Sequence, residues 1–259
     1  MSRIAVFCIR PEPAYRAQAI SNGLARLGYK LYSSPYPNNR FSPHGPEDLL
    51  VIWNRKRGID EQGADAWERK GGTVIVLENG YLQKVDKTYY AVSVHGHNGS
   101  GWFPVGDDKR FDKLGWTAKP MRDGGQYILV RDQRGIGSTL MASPPNWGKR
   151  MEANLRRHAP FPVKLMAHPG DKGKLDKDAQ ALAGARSVVI WSSAIGVRAL
   201  VEGIPVQHFA PHWICEKWVD NREAALERMA HNQWHFDEIA TGEPFARILA
   251  KLKESPRWV

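Results

Sequence analysis

Two short polar segments combine residue types that suit a phosphate, and each directly follows an apolar run. They are His168, Pro169 and Gly170 after the run 161–167, and Ser192 and Ser193 after the run 187–191. Residues 175–185, between them, carry apolar side chains at a helical spacing. The pattern predicts strand, helix, strand, with both segments at the carboxyl ends of parallel strands, where such sheets bind ligands. Hydroxyls and free amides at a helix start suit a phosphate, although His-Pro also ends ordinary strands and paired serines also serve as N-caps.

Alternating strands and helices must position these segments. In the first half, apolar runs predict strands at 3–9, 30–33, 49–53 and 72–77, with helices at 14–27 and 63–70. This alternation favours an α/β fold with parallel sheets and right-handed crossovers. The segment Asp107–Gly125 is rich in charge and glycine, so we place a linker there. The predicted domains are 1–125 and 126–259, and the second ends in a helical tail.

The His-Pro and Ser-Ser segments resemble the paired nucleotide-binding motifs of bacterial sialyltransferases and capsule-polysaccharide (Kdo) transferases. Val74–Leu82 is similar to the Glu-Glu-Gly-Tyr stretch of the capsule enzymes, with Asn79 in place of the second acid. Tyr127–Gln133 resembles the strand and glutamine that open their second domain, except that Arg131 and Asp132 depart from the apolar-glycine pattern. Together these stretches extend the resemblance over roughly half of the chain.

The resemblance implies the two-domain glycosyltransferase fold called GT-B, with two Rossmann-like domains and carboxyl-terminal helices that pack back on the first domain. It implies that the second domain binds a nucleotide-sugar donor. His168, with Pro169 and Gly170, would contact the nucleotide, and the two serines would hold its phosphate. Lys172 follows directly and would help to neutralise the phosphates. The nucleotide sugar is a co-substrate, and neither a cofactor nor a metal is expected.

Glu78 is the candidate general base of the first domain. It follows the predicted strand 72–77, and glycosyl transfer needs a group that takes the proton of the acceptor hydroxyl. His95 and His97, in the glycine-rich segment 93–101, are rival bases. They also have metal-ligand chemistry, but no carboxylate stands nearby at a recognised spacing. A substrate-contacting loop and an ordinary surface loop both remain open for this segment, and Glu78 could instead brace the turn that follows it.

The composition excludes several classes of protein. Of the 259 residues, 42% are hydrophobic, which is enough for a folded core. No run approaches the roughly 20 apolar residues of a membrane span, and the amino terminus lacks a signal-peptide pattern. We therefore expect a cytoplasmic protein without integral membrane association. The two cysteines, Cys8 and Cys215, cannot form a disulfide framework, and both are expected to be reduced, buried thiols.

The charge of the chain bears on the acceptor. A formal net charge of +10 favours a polyanionic partner, although the basic residues are scattered. Arg55, Lys56 and Arg57 follow the apolar run 49–53 and are expected to contact phosphates at the mouth of the first sheet. Some bacteriophages encode compact GT-B enzymes that glycosylate hydroxymethylated bases, so DNA is the main predicted acceptor. If the protein is phage-encoded, the expected location is the cytoplasm of the host. The alternatives are a capsule-type polysaccharide transferase and a non-catalytic nucleic-acid-binding protein on a transferase fold.

Overall fold

The computed structural model describes residues 3–10, 12–35, 37, 40–83, 88–168 and 175–254. Pro169, Gly170 and Lys172 of the predicted donor site lie outside these residues. Contacts within the chain divide it into two compact units. Unit 1 comprises 1–107, 137–139 and 231–259, and unit 2 comprises 108–136 and 140–230. The carboxyl-terminal residues therefore belong to the unit that contains the amino terminus.

Unit 1 is built on a six-stranded sheet. Its strands are β1 (Ile4–Cys8), β2 (Lys30–Ser33), β3 (Leu49–Trp53), β4 (Thr73–Asn79), β5 (Tyr89–Val94) and β10 (Gln233–His235). Their order across the sheet is β10-β5-β4-β3-β1-β2. The first four strands run parallel, whereas β5 is antiparallel to both β4 and β10. The apolar residues of β3 and β4 are buried almost without interruption, which is typical of parallel strands covered on both faces.

Helices cover both faces of this sheet. Helices α1 (Ala14–Arg26), α8 (Phe236–Thr241) and α9 (Glu243–Glu254) contribute to the core on one face, and α2 (Ile59–Arg69) contributes to the core on the other. α8 packs closely on α1 because Gly23 has no side chain: a Cβ there would lie 2.1 Å from the carbonyl oxygen of Ile239. Trp234 and Phe245 are buried in the same core as Leu24 of α1. The carboxyl-terminal helices thus pack on the sheet of unit 1.

Unit 2 contains a four-stranded sheet in which all strands run parallel. Its strands are β6 (Tyr127–Arg131), β7 (Val163–Met166), β8 (Ala185–Ile190) and β9 (Val206–His208), and their order is β7-β6-β8-β9. The helices are α3 (Arg110–Lys113), α4 (Trp147–His158), α5 (Leu175–Ala183), α6 (Ala194–Val201) and α7 (Arg222–Asn232). Trp147 of α4 packs against Val130, Val163 and Val189 of the sheet.

The predicted α/β fold with parallel sheets is confirmed, but two strands were not predicted from the sequence. The strands β5 and β10 add an antiparallel edge to the sheet of unit 1. β10 has only three residues and lies between two helices, so no apolar alternation can develop in it. The predicted helix at 63–70 begins earlier, at Ile59, because Asp60 and Glu61 suit the first turn of a helix.

Both cysteines are free thiols. Cys215 is buried as expected, but Cys8 is partly exposed, so the expectation that both are buried was wrong for Cys8. Burial raises the pKa of the Cys8 thiol to about 12 and also raises the pKa of Cys215. Neither thiol is therefore a ready nucleophile near neutral pH. Within the described residues, no helix combines the length and the apolar character that crossing a bilayer requires.

Candidate functional site

The described residues of the predicted phosphate-binding site lie at the carboxyl ends of the parallel strands of unit 2, which we call the carboxyl edge of the sheet. His168 lies two residues after β7, and Ser192 and Ser193 follow β8. The strand order places β6 between these two strands, so Arg131, the last residue of β6, belongs to the same edge. The sequence pattern gave the strand ends correctly but not this order, because β6 precedes both motifs in the chain.

Ser193 occupies the N-cap position of α6 without capping it through its side chain. Its backbone is extended, and its carbonyl oxygen accepts a hydrogen bond from the amide of Gly196 at 3.0 Å. Gly196 also lets α6 approach the sheet, because a Cβ there would lie 2.5 Å from Cδ1 of Ile190. The ordinary N-cap role is therefore not seen for the Ser193 hydroxyl. A helix start of this kind offers amides and a hydroxyl to an anion.

Arg131 is a buried cation at the centre of this edge, its side chain only 3% exposed. Its Nη2 lies 3.1 Å from Oδ1 of Asp178 on α5. Its Nε and Nη1 are buried and have no hydrogen-bond partner among the described residues. Burial lowers the pKa of the guanidinium, while Asp178 raises it. Arg131, which the sequence showed only as a departure from the family pattern, is thus incompletely satisfied.

Asp178 closes the triplet Asp176-Lys177-Asp178, which has the Asp-x-Asp form found in metal-using transferases. In the structure Asp178 pairs with Arg131. In the part of the chain that the structure describes, no group of three or more histidine, cysteine or acidic side chains comes together as a metal site.

Glu78 lies near the end of β4 in unit 1, where the sequence placed it. Its Oε1 accepts hydrogen bonds from the Tyr81 hydroxyl at 2.5 Å and from the amide of Asn98 at 2.9 Å. Its Oε2 accepts none from the described residues. Asn98 has a left-handed backbone, and its own Oδ1 accepts from the amide of Gly99 at 2.9 Å. One carboxylate oxygen is therefore fixed by two donors, and the other makes no hydrogen bond to the described residues.

The sequence contained a partial signal for this arrangement. Tyr81 belongs to the same Glu-Asn-Gly-Tyr stretch as Glu78, three residues further on. Asn98 comes from another segment, 20 residues away, and reaches Glu78 only through the fold. Glu78 thus contacts the loop at residue 98. Its hydrogen bond with Tyr81 spans the turn at Asn79 and Gly80, so the predicted alternative of a brace for that turn stays open.

His97 and His95, the rival bases, have different surroundings. His97 directly precedes Asn98 and is only 7% exposed, and its Nδ1 has no hydrogen-bond partner among the described residues. The amide of His95 instead bonds to the carbonyl oxygen of Val74 at 2.9 Å. Val74 is four residues before Glu78, or about 13 Å along an extended strand. The structure therefore brings the loop after His97 to Glu78, whereas His95 lies beside Val74, near the start of β4.

His95 belongs to a charged cluster with Glu68, Asp65 and Arg55. Its Nδ1 lies 2.6 Å from Oε1 of Glu68. Arg55 donates to Glu68 at 2.8 and 2.7 Å, to Asp65 at 2.5 Å and to the carbonyl oxygen of His95. Burial alone would raise the pKa of Glu68, but hydrogen bonds from His95 and Arg55 hold it below its usual range. The cluster joins α2 to the loops after β3 and β5.

The predicted acceptor-binding residues therefore differ among themselves. Arg55 is neutralised by two carboxylates, which leaves its guanidinium little capacity for a phosphate. Lys56 is partly exposed and Arg57 is exposed. The amide of Arg57 donates to the carbonyl oxygen of Gly137 at 2.8 Å. A phosphate-binding role for the three residues stays a prediction, and Arg55 is its weakest member.

Comparisons with known proteins identify a similar fold. No protein-family model matches the chain, and no curated protein matches it significantly. Two solved structures from Thermosulfurimonas dismutans KpsC are similar to it, each at 14% sequence identity. The KpsC β-Kdo 2,7 transferase has a TM-score of 0.55 over 97% of this chain and 99% of that chain. The KpsC β-Kdo 2,4 transferase has a TM-score of 0.52 over 89% and 90%. At this identity the likeness concerns the fold, which this chain shares along nearly its whole length.

Proposed function

We propose that this protein is a glycosyltransferase that moves a sugar from a nucleotide-sugar donor to a hydroxyl of a surface polysaccharide. The observation that carries the proposal is the geometry of Glu78. Tyr81 and Asn98 hold its Oε1, while its Oε2 accepts no hydrogen bond from the described residues. A general base needs such an arrangement, with its orientation fixed from one side and a free oxygen for the reactant. The fold shared with two Kdo transferases supports this class of reaction.

The proposed reaction needs a group that takes the proton of the acceptor hydroxyl and groups that stabilise the leaving phosphate. Oε2 of Glu78 takes the proton of the acceptor hydroxyl as the acceptor oxygen bonds to the anomeric carbon of the donor sugar. The bond between that carbon and the donor phosphate breaks, and the phosphate leaves with the electron pair. His168, Ser192, Ser193 and the first amides of α6 would stabilise the charge that develops on the phosphate, and Arg131 adds positive charge at the same edge.

A glycan acceptor is favoured over the main sequence prediction of a hydroxymethylated base in DNA. Both similar structures are Kdo transferases, which agrees with the alternative prediction of a capsule-type enzyme. Arg55, one of the three residues expected to hold DNA phosphates, is already paired with Glu68 and Asp65. The net charge of +10 alone does not select DNA, because an acidic polysaccharide is also a polyanion.

Calorimetry with uridine, cytidine, guanosine and adenosine nucleotides tests the donor site. We expect one base to bind best and the double variant Ser192→Ala/Ser193→Ala to weaken that binding roughly tenfold. His168→Ala should weaken it by a similar factor. The matched control is His158→Ala, because this histidine ends α4 at the opposite edge of the same sheet. Equal affinity in the control and in both site variants would remove the donor-site assignment.

A further inference from the structure

A second group of side chains lies at the carboxyl edge of the unit 1 sheet. Trp53 is the last residue of β3, and Tyr90 of β5 is paired with Asn79 near the end of β4. Arg16, from the first turn of α1, places its Cζ 4.2 Å from the ring centre of Trp53 and 5.9 Å from that of Tyr90. The two rings meet edge to face with their centres 6.0 Å apart.

Tyr15 completes this group, which we call the arginine platform: Arg16, Trp53, Tyr90 and Tyr15. The Tyr90 hydroxyl donates a hydrogen bond to the Tyr15 hydroxyl at 3.0 Å. Tyr15 is 43% exposed, whereas Tyr90 is buried. The platform therefore presents one exposed aromatic ring, Tyr15, which also packs against Phe236 at 5.5 Å between ring centres, and a cation at the end of the sheet to which Glu78 also belongs.

The charge of Arg16 has no acidic partner among the described residues. Its Nη2 donates to the carbonyl oxygen of Glu12 at 2.5 Å, and its Nε is buried without a partner in the described part of the chain. The first turn of α1 contains no acidic residue, and its N-cap, Pro13, makes no side-chain hydrogen bond. A cation in the first turn also opposes the helix dipole. All of these features leave the local positive potential uncompensated.

Partial burial makes this charge costly for the fold. Burial lowers the pKa of Arg16, and it raises the pKa of Tyr90, whose phenol therefore stays neutral and cannot offset the charge. Charged side chains that lose hydration are usually paired with an opposite charge. Arg55 in the same unit follows this rule with two carboxylates. Arg16 does not: its partners among the described residues are a carbonyl oxygen and two aromatic rings.

We propose that the arginine platform binds an acidic sugar residue of the acceptor polysaccharide, an inference that rests on the proposed function. A guanidinium matches the two oxygens of a carboxylate in a way that a neutral sugar cannot reproduce. The face of an exposed aromatic ring attracts the C–H groups of a pyranose, and Tyr15 offers such a ring. The platform thereby selects acceptors that carry a carboxylate and anchors them at the sheet edge that carries Glu78.

A purely structural role for Arg16 is the competing explanation. Its contacts with Trp53 and Tyr90 could simply attach α1 to the sheet. That role predicts a lower melting temperature for an Arg16 variant and no change in saccharide binding. The proposed role predicts a loss of binding that depends on the carboxylate of the saccharide.

The test is calorimetric titration with a Kdo disaccharide and with its carboxyl-reduced form, using the full chain. We expect the reduced sugar to bind roughly tenfold more weakly or worse to the unaltered protein. The Arg16→Gln variant should bind the acidic sugar more weakly by a similar factor and bind the reduced sugar with unchanged affinity. The four affinities form a double-mutant cycle. Arg16→Lys, which keeps the charge and the ring contact, should fall between. The matched control is Arg3→Gln, because Arg3 stacks on Tyr29 at 4.9 Å just before β1, at the opposite edge of the sheet.

Several outcomes would overturn the inference. They are failure of the unaltered protein to bind the disaccharide, equal affinity for the two sugars, unchanged affinity in folded Arg16→Gln, and Arg16-dependent binding of duplex DNA in place of the saccharide. Donor turnover is measured separately. A protein that turns over a donor with an acceptor KM independent of Arg16 would contradict only this inference. A protein that binds the acidic sugar through Arg16 but never releases a nucleotide would contradict only the proposed function.

Discussion

Arg55 in unit 1 and Arg131 in unit 2 both lie at carboxyl ends of parallel strands, but they differ in how many carboxylates pair with the guanidinium. The Arg55 side chain is 11% exposed and donates to two carboxylates and a carbonyl oxygen. Arg131 is more deeply buried and has one carboxylate at 3.1 Å, with two nitrogen atoms unpartnered among the described residues. A satisfied guanidinium serves as scaffold, whereas an incompletely satisfied one keeps capacity for another anion.

The surrounding residues show the same contrast. Glu78 in unit 1 is oriented by two donors, and His95 is held by Glu68. In unit 2 the hydroxyl of Ser193 makes no capping bond to α6. At the edge of the first sheet, hydrogen bonds thus fix the orientation of both side chains. At the edge of the second, Nε and Nη1 of Arg131 also have no hydrogen-bond partner among the described residues.

The largest effect is expected at Glu78. Glu78→Gln should lower turnover by roughly 10²-fold or more, because the amide cannot accept the acceptor proton, while nucleotide affinity stays nearly constant. Steady-state kinetics and calorimetry would measure the two quantities. The control is Glu61→Gln, because Glu61 is a hydrogen-bonded carboxylate of the same unit that contacts Thr139. Turnover that survives in Glu78→Gln, with only a lower melting temperature, would reduce Glu78 to a brace for the loop at Asn98.

The two arginines should respond in opposite ways to the same substitution. Arg55→Met leaves Glu68 and Asp65 without their cation and should cost about 3 kcal/mol of unfolding free energy, with little effect on nucleotide binding. Arg131→Met also removes two unpartnered nitrogen atoms, so it should cost only about 1 kcal/mol. It should nevertheless weaken nucleotide binding severalfold. Urea unfolding and calorimetry on both variants would measure these two effects. Equal losses of unfolding free energy and equal nucleotide affinities in the two variants would contradict the proposed difference between the arginines.

The smallest expected effect is the acid sensitivity of the cluster around Glu68. Because its folded pKa lies below the ordinary value of 4.5, Glu68 stabilises the fold above that pH. This contribution is lost as the pH falls through the lowered pKa and the carboxylate is protonated. Glu68→Gln should therefore lose less stability than the unaltered protein between about pH 6 and about pH 3 in urea unfolding. Glu223→Gln is the control, since Glu223 also has a lowered pKa but lies exposed beside Arg222, where solvent screens the charge.

The sequence predicted the strand ends better than the contacts made there. The apolar runs at Leu49–Trp53 and Thr73–Leu77 mark buried parallel strands, and the position of Glu78 follows from the end of the second run. The hydrogen bond from Asn98 could not be predicted, because it depends on a loop 20 residues away that turns back along β4. Local patterns specify elements, whereas charge pairing is specified by tertiary packing.

The pairing of charged residues was also not predictable from local sequence patterns. The sequence shows one basic run, residues 55–57. In the structure Arg55 donates hydrogen bonds to Asp65 and Glu68 of α2, which lie 10 and 13 residues further along the chain. Arg16 gave no signal at all, because its aromatic neighbours come from β3 and β5. A basic residue in a sequence therefore says little about whether its charge is available to a ligand.

The most direct test of the central claim is a transfer assay by mass spectrometry with a panel of nucleotide sugars, including a Kdo donor, and a Kdo-terminated saccharide acceptor. We expect free nucleotide and an acceptor heavier by one sugar residue. Both products should fall by roughly 10²-fold or more in Glu78→Gln and appear at the normal rate in Arg3→Gln. Absence of nucleotide release and of acceptor modification with every donor, from a folded protein, would contradict the assignment as a glycosyltransferase.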